Sequence, residues 1–325
     1  MYRIDDATAA TSLPTPEAAG TEGYFTEGNP ATGTPATKVR GSWLNMLQEE
    51  LCAILAAAGI ARSKTTYNQV NSALQKMYSP VIGAQRNLAM NVTAASASAT
   101  LTADQIVVAT ALNGQTFMLS SFNKTINLAT TGAGGMDTGA APVSGYVALY
   151  AIYNPTTGTS ALLAKNATSA VQANVYSGAN MPSGYTASAL VSVWPTNSSG
   201  QLVVGDQADR IISLPYVSVA STSSQISTLT ALSISSFAPP NARSVGGLMN
   251  IASSNSSNST VAIASRASGV GQQSNSCSGT SAGGLLSGSS FSNLAVLTPQ
   301  TIYWSAAAAS GTFTSAAIFM TSYSI

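Results

Sequence analysis

GYVALYAIYNPTTG, Gly145 to Gly158, is the stretch from which the fold class follows. In an extended chain successive side chains point to opposite faces. Val147, Leu149 and Tyr153 then lie on one side, and Tyr146, Tyr150 and Ile152 on the other. Both sides are apolar, so the stretch is predicted to be a strand covered on both faces, ended by the turn chemistry of Asn154-Pro155. Short β-prone runs recur around it at Ala89–Thr93, Gln105–Thr110, Thr116–Phe122, Thr159–Ala164, Ala187–Trp194, Leu202–Val204 and Ile211–Ser218, each bounded by Gly, Pro, Asn or Ser.

Ala220 to Ser224 is a small-residue stretch with little to bury, and a second β region is expected beyond it. Its candidate strands are Leu229–Phe237, Val245–Ile251, Thr260–Ala264, Thr301–Ser305 and Ala316–Tyr323, with Ser253 to Ser259 and Ser274 to Ser281 read as displayed polar loops. The expectation is a mainly β chain with two β-sandwich-like domains, residues 81–220 and 221–325.

Upstream the apolar period changes. Leu44, Leu47, Leu51, Ile54, Leu55 and Ala58 recur at steps of three and four, with Ser42 as N-cap and Gly59 just past the end. A second helix carries Tyr67, Val70, Leu74 and Met77 along one stripe, opened by a Thr66/Gln69 capping-box pattern and closed by Ser79-Pro80. Residues 42–80 thus read as a helical hairpin, too small to be stable alone. Trp43, Leu47, Leu51, Ile54, Tyr67, Val70 and Leu74 are therefore expected at an interface with copies of the chain or with another protein. Residues 1–41, with four prolines and five glycines, cannot build a core and read as an extended arm, for which Tyr2, Ile4, Leu13, Tyr24 and Phe25 are anchors.

Charged residues make up 7% of the chain, against roughly 25% in an average soluble domain. Of the 23 Asp, Glu, Lys and Arg residues, 13 fall within positions 1–80. The net charge is +1 with no basic cluster, so nucleic acid is not an expected partner. The longest apolar stretch, Ala53 to Ala61, is too short to span a bilayer, and MYRIDDATAA lacks a signal peptide's basic and apolar regions, so neither membrane insertion nor secretion is expected. Cys52 and Cys277 read as unpaired thiols of a protein made and kept in a reducing cytoplasm.

Histidine is absent, which removes the usual general base and the commonest metal ligand. Gly279–Gly283 spells GTSAG, but no histidine can activate its serine. Asp104, Asp137, Asp206 and Asp209 are the complete acidic set of the β region, and Asp206, Asp209 and Arg210 read as a turn with a local ion pair. TGAGGMDTGA, Thr131 to Ala140, lacks the Lys-Ser/Thr of a phosphate loop and reads as a tight, mobile loop. No catalytic residue, cofactor or metal site is expected, and the chain is expected not to be an enzyme.

YRIDDATAATSLPTPEAAGTEGYFTEGNPATGTPAT, followed by WLNMLQEELCAILAAAGI and TTYNQVNSALQKMY, resembles the N-terminal region of tailed-phage and prophage tail-fibre proteins. NKTINLATTGAGGMDTGAAPVSGYVALYAIYNPTTGTSALL and ANMPSGYTASALVSVW resemble a β domain of fibre proteins of the same kind, and the resemblance ends near Ser221. It implies a homotrimer in the virion, held to tail or baseplate by residues 1–80, whose C-terminal region meets a host cell-surface receptor. Neutral hydroxyl- and amide-rich loops suit a polysaccharide receptor, with Phe291, Tyr303, Trp304 and Tyr323 as candidate receptor-facing residues. A collar or baseplate fibre or adaptor without receptor contact is the alternative, and a polysaccharide depolymerase tailspike the third reading.

Overall fold

The computed structural model describes residues 1–279 and 284–325, with the side chains at 255 and 256 outside that description. Most of the GTSAG string therefore lies outside the described residues. The chain divides into two compact units, Met1–Ser79 with Asn113–Gln115, and Pro80–Leu112 with Thr116–Ile325.

The N-terminal unit holds the expected hairpin, α1 (Gly41–Ala57) and α2 (Gln69–Met77). Gly59 ends α1 in the left-handed region at φ 64°. Its amide donates to Ala56 O at 3.0 Å and that of Ile60 to Leu55 O at 2.9 Å, the paired bonds that satisfy a helix's last carbonyls. The predicted caps are not formed. Ser42 lies inside α1 and donates to the Glu17 carboxylate at 2.9 Å, while Arg40 stands at the cap position with no side-chain bond to the helix amides. Gln69 is buried rather than capping: its Nε2 donates to Ala61 O at 2.6 Å, and its Oε1 accepts from the Ser63 amide and the Met1 amino group. A buried amide must satisfy both its ends, and the loop between the helices offers partners that a cap would not.

In the second unit the strands are β1 (Gln85–Arg86), β2 (Ala89–Val92), β3 (Ser98–Ala109), β4 (Thr116–Asn127), β5 (Tyr146–Asn154), β6 (Thr159–Asn166), β7 (Ala187–Pro195), β8 (Gly205–Ala208), β9 (Ile211–Thr222), β10 (Ile226–Ser233), β11 (Ser244–Ala264), β12 (Gln273–Gly279), β13 (Gly284–Ala295) and β14 (Thr301–Ser324). They form one sheet in the order β12-β11-β14-β9-β8-β2-β3-β7-β5-β6, with β1 and β4 pairing β3, β10 pairing β14 and β13 pairing β11.

β5 is covered on both faces, as its pattern predicts. Val147, Leu149 and Ala151 face the large core, which takes in Trp194, Met249, Ile318 and Tyr323. Tyr146, Ala148, Tyr150 and Ile152 face a smaller core with Leu163, Leu190 and Tyr176. The segment 167–186 lies over this second face and is tied down by Tyr150 Oη to Ala173 O at 2.9 Å and the Leu190 amide to Asn174 O at 2.8 Å.

Four expectations are corrected. The domain boundary at Ser221 falls inside β9, which pairs with β14, and the large core runs on through β11, β13 and β14, so Pro80–Ile325 is one unit rather than two β-sandwich-like domains. Leu202–Val204 makes only isolated bridges at Leu202, and the strand follows it as β8. Ser253–Ser259 and most of Ser274–Ser281 are strand: β11 pairs with β12 and β13 on one edge and β14 on the other. The ladder takes the backbone groups of the paired residues, and several hydroxyls bond one another, as Ser257 does Ser253 and Thr260 Oγ1 does Ser276 Oγ at 2.7 Å, while Ser259 Oγ is buried without a partner among the described residues. The Gly-rich stretch is threaded into the fold: Met136 is in the core, Gly134 N donates to Leu162 O and Asp137 N to Ala164 O.

A line of irregular pairings crosses the sheet at Gly246. Opposite the single Gly246, β13 fits two residues, Ser292 and Asn293, between the partners of Val245 and Gly247. β14 carries the extra Thr321 between Met320 and Ser322, and β9 fits Leu214, Pro215 and Tyr216 between Ser213 and Val217. Such aligned bulges bend a sheet. Only glycine fits at the crossing, where a Cβ on Gly247 would lie 1.9 Å from Phe319 O.

Candidate functional site: a docking surface and a neutral groove

The hairpin core consists of Leu55, Ala58 and Ala73, with Met1, Ile54, Ile60 and Val70 packed around it. Burying one leucine and two alanines contributes only a few kcal/mol at about 0.8 kcal/mol per CH₂. The interface residues expected from sequence fall into two groups. Ile54 and Val70 serve the hairpin itself, with Leu51 half-buried beside them on α1. Trp43, Leu47, Tyr67 and Leu74 are 41%, 45%, 97% and 41% exposed, joined on the outside by Leu44, Met46 and Met77. α2 turns Gln69 and Ala73 inward, the small Ala73 letting two short helices approach and Gln69 bonding the loop between them.

The arm is laid along the helices by ion pairs, Arg3 to Glu49, Lys64 to Asp5 and Arg40 to Glu17. The Arg40 guanidinium, with the Ser42 hydroxyl, holds the Glu17 carboxyl at about 2, well below its ordinary value. Hydrogen bonds from Lys64 and Arg3 hold Asp5 and Glu49 down in the same direction. Phe25 meets Trp43 edge to face at 5.2 Å between centroids. Leu13, Pro16, Tyr24, Phe25, Trp43 and Met46 thereby line an open cleft of about 900 Å³ between arm and α1.

Among the residues expected to face a receptor, Phe291, Trp304 and Tyr323 are only 4%, 6% and 1% exposed, and Tyr303 is half-buried. Tyr323 Oη donates to Val193 O at 2.7 Å, and full burial raises its phenol well above the ordinary value. Phe291, Trp304 and Tyr323 fill the core because each offers a large apolar area to bury. The four β-region carboxylates act as structural acceptors. Asp104 accepts from Asn87 Nδ2 at 2.6 Å, Asp209 from the Leu88 amide at 3.0 Å, Asp137 from Tyr176 Oη at 2.8 Å, and Asp206 from Asn91. Arg210 donates to Gly83 O at 2.9 Å, and the ion pair expected with Asp206 or Asp209 is not formed among the described residues.

The bulged line at Gly246 opens a groove of about 410 Å³ in the β unit, which sequence reasoning missed. Ser290, Ser292, Asn293, Thr321 and Ser322 bring hydroxyls and an amide to it, and the half-exposed Ile211 and Leu248 give it apolar patches. The available signal was the Gly246-Gly247 pair inside a strand pattern, a mark of a bulge or close backbone approach.

No family model matches the chain. Over 77 residues, 24% of its length, the chain is 43% identical to the uncharacterized protein StfP of Escherichia coli (strain K12). That match spans 35% of StfP, so the chain covers about a third of this relative.

Proposed function

We propose that the chain is a structural subunit of a phage or prophage tail fibre. In this reading it acts as a homotrimer, docks on tail or baseplate proteins through Met1–Ser79 and meets the host cell surface with its β unit. The observation that carries the reading is the 43% identity over 77 residues with StfP, whose name is of the side tail fibre-like prophage kind. The N-terminal unit supports it physically: side chains that would complete a core, Trp43, Leu47 and Leu74 among them, are left uncovered in the single chain.

Host contact, in this proposal, belongs to exposed strand surfaces of the β unit, since Phe291, Trp304 and Tyr323 are in its core and Tyr303 is half-buried. The assembly has no turnover: incubated with capsular polysaccharide or lipopolysaccharide it releases no reducing sugar, and Asp206→Asn and Asp209→Asn leave that result unchanged. The test is binding of the purified protein to tail particles and to a panel of Escherichia coli strains, with and without residues 1–79. Full-length protein binds both, and the truncated form binds cells only. Binding to tails without binding to any cell would favour an adaptor, and release of sugar would overturn the non-enzymatic reading.

A further inference from the structure

The geometry points to the groove at Gly246 as a binding site for an uncharged pyranose unit of a surface glycan, an assignment that rests on the host-contact reading above. The groove has the roughly 300–1,000 Å³ scale of small-molecule sites, at about 410 Å³. Among the described residues, no Asp, Glu, Lys or Arg lines it. An anionic sugar would lose its hydration there with no cation to replace it. A neutral ring loses little.

Its polar groups are free to serve a ligand. Among the described residues, the side chains of Ser290, Ser292, Asn293 and Ser322 make no hydrogen bond to protein, whereas Thr321 Oγ1 is engaged with Gly246 O at 3.3 Å. Asn293 is held at φ 53° by the bulge, in the left-handed region that asparagine tolerates. The floor is backbone: a Cβ on Gly246 would sit 2.9 Å from Ser322 Oγ and 3.3 Å from Phe291 O, so glycine keeps it open. A pyranose offers the matching chemistry, a belt of neutral hydroxyls for the serines and the amide, and C–H faces for Ile211 and Leu248.

The test uses full-length protein on immobilised neutral tetrasaccharides of glucose, galactose, mannose and N-acetylglucosamine, beside uronate-containing counterparts. At least one neutral series binds, as well in high salt as in low, because no ion pair is broken. Ser290→Leu, which fills the groove, and Asn293→Gly, which keeps the backbone and removes the amide, each weaken that binding about tenfold or more. Leu286→Ser, on the same strand outside the groove, leaves it unchanged, and matching thermal transitions show that all three variants are folded. Binding only to uronate glycans, binding to none, or neutral binding unaffected by Ser290→Leu and Asn293→Gly overturns the assignment. Cell adsorption separates the two readings: wild type and groove variants adsorbing equally sink the groove alone, while neutral glycan binding without adsorption to any strain sinks the host-contact reading alone.

Discussion

Two glycines show how differently one residue type can matter. A methyl at Gly247 meets Phe319 O at 1.9 Å and Met320 Cα at 2.9 Å, backbone atoms that cannot step aside. Gly247→Ala is expected to cost about 3 kcal/mol, read as a shift of the urea midpoint. At Gly59 the nearest atom to a new Cβ is the Lys76 ammonium at 3.9 Å, and only the left-handed backbone objects. Gly59→Ala should therefore cost about 1–2 kcal/mol, confined to the hairpin. Tyr323→Phe tests a buried polar bond: it strands Val193 O inside the core and should lower stability by about 1–3 kcal/mol with no change of fold.

At the scale of elements, three of the ties of the arm are exposed ion pairs, Arg3 to Glu49, Lys64 to Asp5 and Arg40 to Glu17. Glu17 falls from an ordinary 4.5 to about 2 in the folded chain, so its contribution is present above 4.5 and is lost as pH falls toward 2. Asp5 and Glu49 shift in the same direction. Acid should release the arm across that window, measured as faster amide exchange of residues 1–40 after correction for intrinsic rates, while β5 and β7 stay protected. Glu17→Gln should remove the part of the transition that Arg40 creates.

The same elements show what a sequence can and cannot disclose. β5 was legible because both its faces are apolar, and the end of α1 because Gly59 is the residue a left-handed stop requires. β11 was not: its middle is Ser and Asn, and it is strand because neighbours on both edges take its backbone bonds, a fact that lives in distant parts of the chain. The caps at Ser42 and Thr66 failed for a related reason, since Glu17 in the arm and Ala61 in the loop between the helices offered Ser42 and Gln69 better partners. For the candidate site, the exposed side of α1 followed from its period, whereas the groove arises only where three strands, β13, β14 and β9, bulge along one line beside Gly246.

For the whole molecule, charge and exposure are divided by unit. The 13 ionisable Asp, Glu, Lys and Arg residues of positions 1–80 surround exposed Trp43, Leu44, Met46, Leu47 and Leu74, while the β unit carries only 10 over a well-filled core. A chain with so much uncovered apolar surface on its weakest unit gains most by associating. Leu47→Asp, on the outer side of α1, should leave helix content intact and disrupt assembly, visible as a lower mass at equal concentration. The most direct measurement is therefore the mass of the full-length protein in solution by sedimentation equilibrium. The account predicts a complex of three 32.8 kDa chains that Leu47→Asp dissociates. A monomer of 32.8 kDa at every concentration, with the N-terminal unit folded, would contradict it.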